Sequence, residues 1–388
     1  MKNKKYKMVE TFAGAGGSHI GFSKAGFESI FINEIDENFS KTLLNNNRTV
    51  SKKNLETKNI LDLNPLNILK KYKLKPGEID LLFGGIVCKG FSLAGERSPN
   101  DERNYYFIKQ VEIMSKLKPK ISIIENVPGI TQAKILRPEI DLEQKKEIDY
   151  IWQELENYKG QKADLRKKNK ITDEFIQRGL KLRKRKEDLL KFLTDKNYLI
   201  PVLKEIEQLF IKNGYSFTFR LLNSAWYGSG TKRERIIIVG VRKDLSAKFK
   251  YPKIKYNSRS IRTKFAEDMK NNKYLKPKTV NDALELIDSK SDDPDNLPMN
   301  HSEKTTLRFS YIPEGKNIVD VMHDLPEELK ISSFYSRGNT MRLDGNQPAP
   351  TLVPGHSNFP VHPSENRSIT VREAVTITGF PINYKFFG

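Results

Sequence analysis

Four short apolar runs rich in β-branched residues mark the first third of the chain: Met8–Phe12, Ser29–Asn33, Asp80–Phe83 and Ile121–Ile124. Each soon gives way to glycine or a polar residue. Between them lie stretches with apolar positions at helical spacing, such as Ser18–Ala25 and Tyr105–Leu117. Gly26 follows the first of these where a C-cap glycine belongs. Strands alternating with helices predict an α/β fold with a doubly wound, largely parallel sheet. A later strand pair is readable at Phe217–Leu222 and Arg235–Val241.

Two regions break this rhythm. Residues 136–196 are dense in Lys and Glu, with Trp152, Leu155, Leu182, Leu189 and Phe192 as sparse apolar points. The pattern predicts a solvated helical insertion, and a basic DNA-facing arm is the alternative. From Asp244 to about Thr340, segments rich in Lys, Ser, Asn and Pro predict a second, smaller, loop-rich module. No internal repeat is evident.

Composition narrows the class. Lys plus Arg number 68 against 48 Asp plus Glu, a net charge of +20 in 388 residues. The pI is about 9.6 and the mean hydropathy −0.60. No apolar run approaches the ~20 residues of a membrane-spanning helix. One cysteine, Cys88, excludes a disulfide scaffold and a Cys-rich zinc site. The basic start MKNKKYKM runs straight into VETFAGAGG, so no secretion signal is expected. A large positive excess points to a polyanionic partner, nucleic acid first.

Candidate chemistry sits at the strand ends. Phe12-Ala13-Gly14-Ala15-Gly16-Gly17 closes one strand and opens a helix, and Glu34 ends the next in FINEID. Glycines let a ligand approach the backbone, and an acid there binds ribose hydroxyls. The third glycine of a dinucleotide fingerprint is replaced by His19, which favours a nucleoside cofactor over a pyrophosphate and disfavours a nicotinamide oxidoreductase. Cys88, in LLFGGIVCKGFS, follows another strand, and the adjacent Lys89 favours its thiolate. Glu125, in IIENVPG, ends a further strand at the same crevice; a carboxyl there can act as an acid or form a cap or salt bridge. In Thr231-Lys232-Arg233-Glu234-Arg235 the two arginines would share one face of an extended segment and suit carbonyl, carboxylate or phosphate oxygens.

TFAGAGGSHIGF, NEID, GGIVCKGFSLAG, ENVPGI and TKRERIIIVG stand in this order, followed by RLDGNQPAPTLVPG and HPSENRSITVREAVTITGFP. The ordered set resembles DNA (cytosine-5)-methyltransferases of bacterial restriction-modification type. The resemblance implies a Rossmann-like S-adenosylmethionine-dependent methyltransferase fold with a smaller target-recognition domain. It divides the chain into a catalytic domain at 1–243, carrying the insertion, a target-recognition region at 244–340 and a segment at 341–388 returning to their boundary. It implies that Phe12, Gly14, Gly16 and Gly17 form the cofactor loop, Glu34 holds the ribose, and Ile35 packs on the adenine. Asn59 and Ile60 would lie at the adenine, and Tyr106 would line the pocket. Cys88 matches the nucleophile, Glu125 the residue gripping the cytosine edge, and Arg235, accompanied by Arg233, the contact to its carbonyl. S-adenosylmethionine is the expected cofactor, S-adenosylhomocysteine its product, and no metal is expected.

Double-stranded DNA is the expected partner and a cognate restriction endonuclease a functional one. The expected place is the cytoplasm of a bacterium, at the nucleoid through DNA binding. The alternatives are a tRNA cytosine-5 methyltransferase, or a catalytically weak DNA-binding subunit. The sequence departs from the family's pattern at Ile86-Val87, Lys89, Asn59 and Thr231, and it stops at NYKFFG before a Gly-Asn-Ser/Ala-Val motif. The expectation drawn from that stop is an uncovered cofactor pocket near Phe12, weak cofactor binding, and a second polypeptide that supplies the motif.

Overall fold

The computed structural model describes residues 5–86, 98–137, 139–168, 170–259, 274–288, 292–331, 338–353, 355 and 358–388. Strands β1 (Tyr6–Thr11), β2 (Phe27–Glu34), β3 (Leu55–Thr57), β4 (Leu81–Gly85), β5 (Ile121–Asn126), β8 (Thr218–Asn223) and β9 (Glu234–Val241) form one seven-stranded sheet. Its order is β3-β2-β1-β4-β5-β9-β8. The first five strands run parallel, while β9 is antiparallel to both β5 and β8. β6 (Lys134–Leu136) and β7 (Leu199–Pro201) make a separate antiparallel ribbon.

A parallel sheet needs apolar side chains on both faces, because helices cover both. Side chains alternate along each strand, so Val9, Leu82 and Ile124 enter one core while Met8, Leu81 and Phe83 enter another on the opposite face. The covering helices are α1 (Gly17–Lys24), α2 (Glu37–Asn46), α3 (Pro65–Lys71), α4 (Tyr106–Leu117) and, after an insertion, α7 (Val202–Lys212). Asp36 caps α2 by accepting from the amides of Asn38 and Phe39. After β1 the chain builds β2 and β3 on one side, then crosses to β4 on the other. The strand order therefore reverses beside β1, where open α/β sheets bind ligands.

The charged insertion is a hairpin of two long helices, α5 (Leu142–Lys167) and α6 (Asp173–Asp195), standing on the β6–β7 ribbon. Ile148, Ile151, Trp152 and Leu155 recur at helical spacing on α5 and pack with Leu189 and Leu193 of α6.

Beyond residue 244, the described residues include short helices α8 (Val280–Leu284), α9 (Glu303–Ser310) and α10 (Val371–Thr378). Two small cores organise this part. One gathers Val280, Leu343, Phe359, Ile369 and Ile377; the other gathers Phe309, Ile318, Leu329 and Val361. Residues after 340 thus share cores with residues before it. No helix among the described residues is long and apolar enough to cross a membrane.

Candidate functional site

The glycine loop leaves β1 through left-handed backbone at Phe12 (φ 53°), Gly14 (φ 55°) and Gly16 (φ 92°). Gly16 is the N-cap of α1, and its conformation favours glycine. Space demands it as well, since a Cβ there would lie 2.7 Å from Leu43 Cδ2 and from the Tyr384 hydroxyl. Glu34 closes β2 beside this loop. Its Oε2 accepts from the Gly14 amide at 2.6 Å, and its Oε1 accepts from the amides of Ile35 and Asp36 at 2.8 and 2.9 Å. Ile35, next to this buried carboxylate, is 63% exposed. Phe12 and Tyr106 stack with ring centroids 6.0 Å apart. Asn59 accepts from the Leu61 amide at 3.0 Å and caps a short turn, while the side chain of Ile60 is buried in the core. Ile60 therefore offers only its backbone to a ligand.

His19 points away from this loop. It is buried against Glu10 at 3.3 Å and Ser29 at 3.2 Å, so the residue at the third fingerprint position anchors α1 to the sheet.

The second half of the site lies at the ends of β4, β5 and β9. Glu125 pairs in register with Gly85 on one side and Ile237 on the other. Arg235 Nε meets Glu125 Oε1 at 2.8 Å, and both side chains are partly exposed. The structure thus joins two predicted residues in an ion pair. Gly85 adjoins the pair, since a Cβ there would sit in ordinary contact, 3.7 Å from Glu125 Oε2. Arg233 is exposed just before β9, and its amide donates to Ser224 Oγ at 3.2 Å. Cys88 lies outside the described residues. Ile86, two residues before it, has its carbonyl held by Asn126 Nδ2 at 3.4 Å.

Asn126 was not singled out in the sequence. Its signal in the sequence is a polar residue directly after Glu125 at the end of an otherwise apolar run, and in the structure its side chain is buried. Tyr384 gave no local signal at all. It reaches the glycine loop from 369 residues away, its hydroxyl donating to the Ala15 carbonyl at 2.6 Å. Phe380 also lies against Gly17. The flank of the loop at Ala15–Gly17 is therefore covered by residues of this chain.

The donor set fits S-adenosylmethionine: a buried carboxylate with lone-pair capacity left, an exposed apolar side chain beside it, a glycine turn and an aromatic pair converge at one strand-order reversal. The chain matches the family of C-5 cytosine-specific DNA methylases over residues 6–183 and 189–388. It is 29% identical to Type II methyltransferase M.PspPI of Psychrobacter sp. (strain TA137), covering 100% of this chain and 73% of the relative. It is 28% identical to Type II methyltransferase M.Sau96I of Staphylococcus aureus, covering 100% and 70%. A crystal structure described as a DNA modification methyltransferase encoded within an E. coli prophage superposes with a TM-score of 0.61 at 20% identity, over 99% of this chain and 91% of that one. That likeness concerns the fold.

Proposed function

This chain belongs to the C-5 cytosine-specific DNA methylases, and from that premise we propose a division of labour among its site residues. The enzyme methylates carbon-5 of cytosine in DNA. The observation that carries the assignment is the Glu125–Arg235 pair at the end of β5, beside Gly85 and the chain leading to Cys88.

Carbon-5 of cytosine is a poor nucleophile. The Cys88 thiolate forms a bond to carbon-6, and the electron pair of the C5=C6 bond moves onto carbon-5. Glu125 shares a proton with ring nitrogen-3, donating there while its other oxygen accepts from the exocyclic amine, and Arg235 donates to the carbonyl oxygen, offsetting the charge that develops in the ring. S-adenosylmethionine, when bound, supplies the electrophilic sulfonium methyl group. After carbon-5 has taken the methyl, its proton leaves to base and the C6–S bond breaks, returning Cys88. The base must leave the duplex for these contacts, so the ion pair between Glu125 and Arg235 opens its outer face to a flipped cytosine.

Phe12, Gly14, Gly16, Gly17 and Tyr106 enclose the cofactor, Glu34 holds its ribose, and Ile35 covers its adenine, with Asn59 and the Ile60 backbone at the adenine edge. Residues 244–340 read the target sequence, and methylation protects that sequence from a cognate endonuclease.

DNA carrying 5-fluorocytosine tests the nucleophile, because fluorine blocks the final elimination. A covalent adduct is expected with the wild type and none with Cys88→Ser, while cofactor binding survives. An adduct that persists in Cys88→Ser overturns the assignment. Bisulfite sequencing of DNA from cells expressing the chain then gives the recognised site.

A further inference from the structure

The covered flank of the glycine loop has a specific fastening. Tyr384 is only 4% exposed, and its ring packs with Phe380 and Phe386 at centroid distances of 5.1 and 5.3 Å. Its hydroxyl donates to the Ala15 carbonyl at 2.6 Å and accepts from Asn47 Nδ2 at 3.3 Å. Burial pushes this phenol above its ordinary value, so it keeps its proton for the carbonyl. The hydroxyl also abuts Gly16, the residue whose left-handed backbone starts α1.

Tyr384 is itself fixed from behind. Its carbonyl accepts from Arg372 Nη1 at 2.8 Å. Arg372 is 3% exposed and ion-paired with Asp293 and, at 3.2 Å, with Asp295. A continuous polar chain therefore runs from residues 293–295 through Arg372 and Tyr384 to the turn at Ala13–Gly16, whose own closure is the Gly16 amide bond to the Ala13 carbonyl at 3.2 Å.

We infer that Tyr384 is a positioning residue for the cofactor: its hydroxyl holds the Ala15 carbonyl, and with it the backbone of Gly14 and Gly16, in the shape that receives S-adenosylmethionine. This rests on reading residues 12–17 as the cofactor loop. The contacts of Tyr384 are with the loop and its flank rather than with Glu125 or Arg235, so its loss is expected to act on cofactor affinity and leave the chemical step alone.

The test is Tyr384→Phe, which keeps the ring and removes one hydroxyl. Net hydrogen-bond strengths predict a rise of about three- to tenfold in the cofactor Kd and KM. Turnover at saturating cofactor stays near the wild type, and so does the melting temperature. Phe386→Leu loosens the same aromatic cluster but keeps the hydroxyl, and its cofactor affinity should match the wild type. Unchanged affinity in Tyr384→Phe overturns the inference. An equal loss in Phe386→Leu does so too, by making packing rather than the hydroxyl the cause. Glu34→Ala separates the underlying reading: wild-type affinity there would remove the cofactor loop itself from these residues.

Discussion

Glu125 and Arg235 show what a residue's neighbours add to its identity. Each is recognisable in the sequence by its place at a strand end, but they stand 110 positions apart, and only the antiparallel pairing of β5 and β9 brings them to 2.8 Å. Glu125→Gln keeps the shape and removes the carboxyl group that pairs with Arg235. We expect single-turnover methylation to fall on the order of 10²–10³-fold, with cofactor affinity intact; a near-normal rate would make Glu125 structural. Arg342 is the opposite case. It sits in RLDGNQPAP as one more arginine, yet it is buried, and its guanidinium donates to the carbonyls of Ile312, His362, Pro363, Glu365 and Phe309 and to Asn366 Oδ1. Burial among neutral oxygens pulls its pKa down from the usual guanidinium value. Arg342→Met would strand these acceptors, each costing ~1–3 kcal/mol. Urea unfolding should show the part of the molecule beyond residue 244 losing stability before the sheet does.

At the scale of elements, the α5–α6 hairpin was legible as helix from its apolar spacing and heavy charge. Its closest helix contact was not. Gly179 looks like a weak point in α6, but the Tyr158 ring of α5 fills the space a Cβ would need and stacks on Phe175 at 4.5 Å. Gly179→Ala gains helix propensity yet must displace that ring, so the hairpin should lose ~1–3 kcal/mol, read by protease sensitivity near residue 169. The turns beyond residue 244 carry a pH dependence. His301 Nε2 accepts from the Ser368 amide at 3.2 Å, and His362 Nδ1 accepts from the amides of Ser364 and Glu365 at 3.3 and 3.2 Å. Both histidines are held below their ordinary value, chiefly by burial. For His362, Glu373 and Glu365 oppose that shift while Arg367 and Arg342 reinforce it. The folded form thus binds fewer protons than the unfolded one. Stability is present above the unfolded value of about 6.5 and falls as the pH drops through it toward the depressed folded values. Thermal melts between pH 7.5 and 5, roughly spanning that range, should fall monotonically, and His301→Gln should flatten part of the slope.

For the whole molecule, the excess of +20 charges bears on DNA affinity rather than on the fold. If six or more phosphates are neutralised, binding should weaken by about 10³ or more between 50 and 200 mM salt, and a flat dependence would confine the charge to solubility. What the sequence determined by itself was local. Apolar runs marked β1, β2, β4, β5, β8 and β9, helical spacing marked α1, α4 and the inserted hairpin, and glycines or acids at the strand ends marked the candidate site. These signals survive because strand and helix periodicity, and the backbone freedom of glycine, are set within a few residues. Tertiary structure alone decided the rest. It reversed β9 against β5 and so paired Arg235 with Glu125. It turned His19 inward to Glu10 and gave Asn126 the carbonyl of Ile86. It laid Tyr384 on the glycine loop and drew residues on both sides of position 340 into shared cores. Each of these joins groups far apart in the chain, where no local periodicity carries information. The partners are selected by burial, because a buried polar group must find its hydrogen bond wherever the fold supplies one.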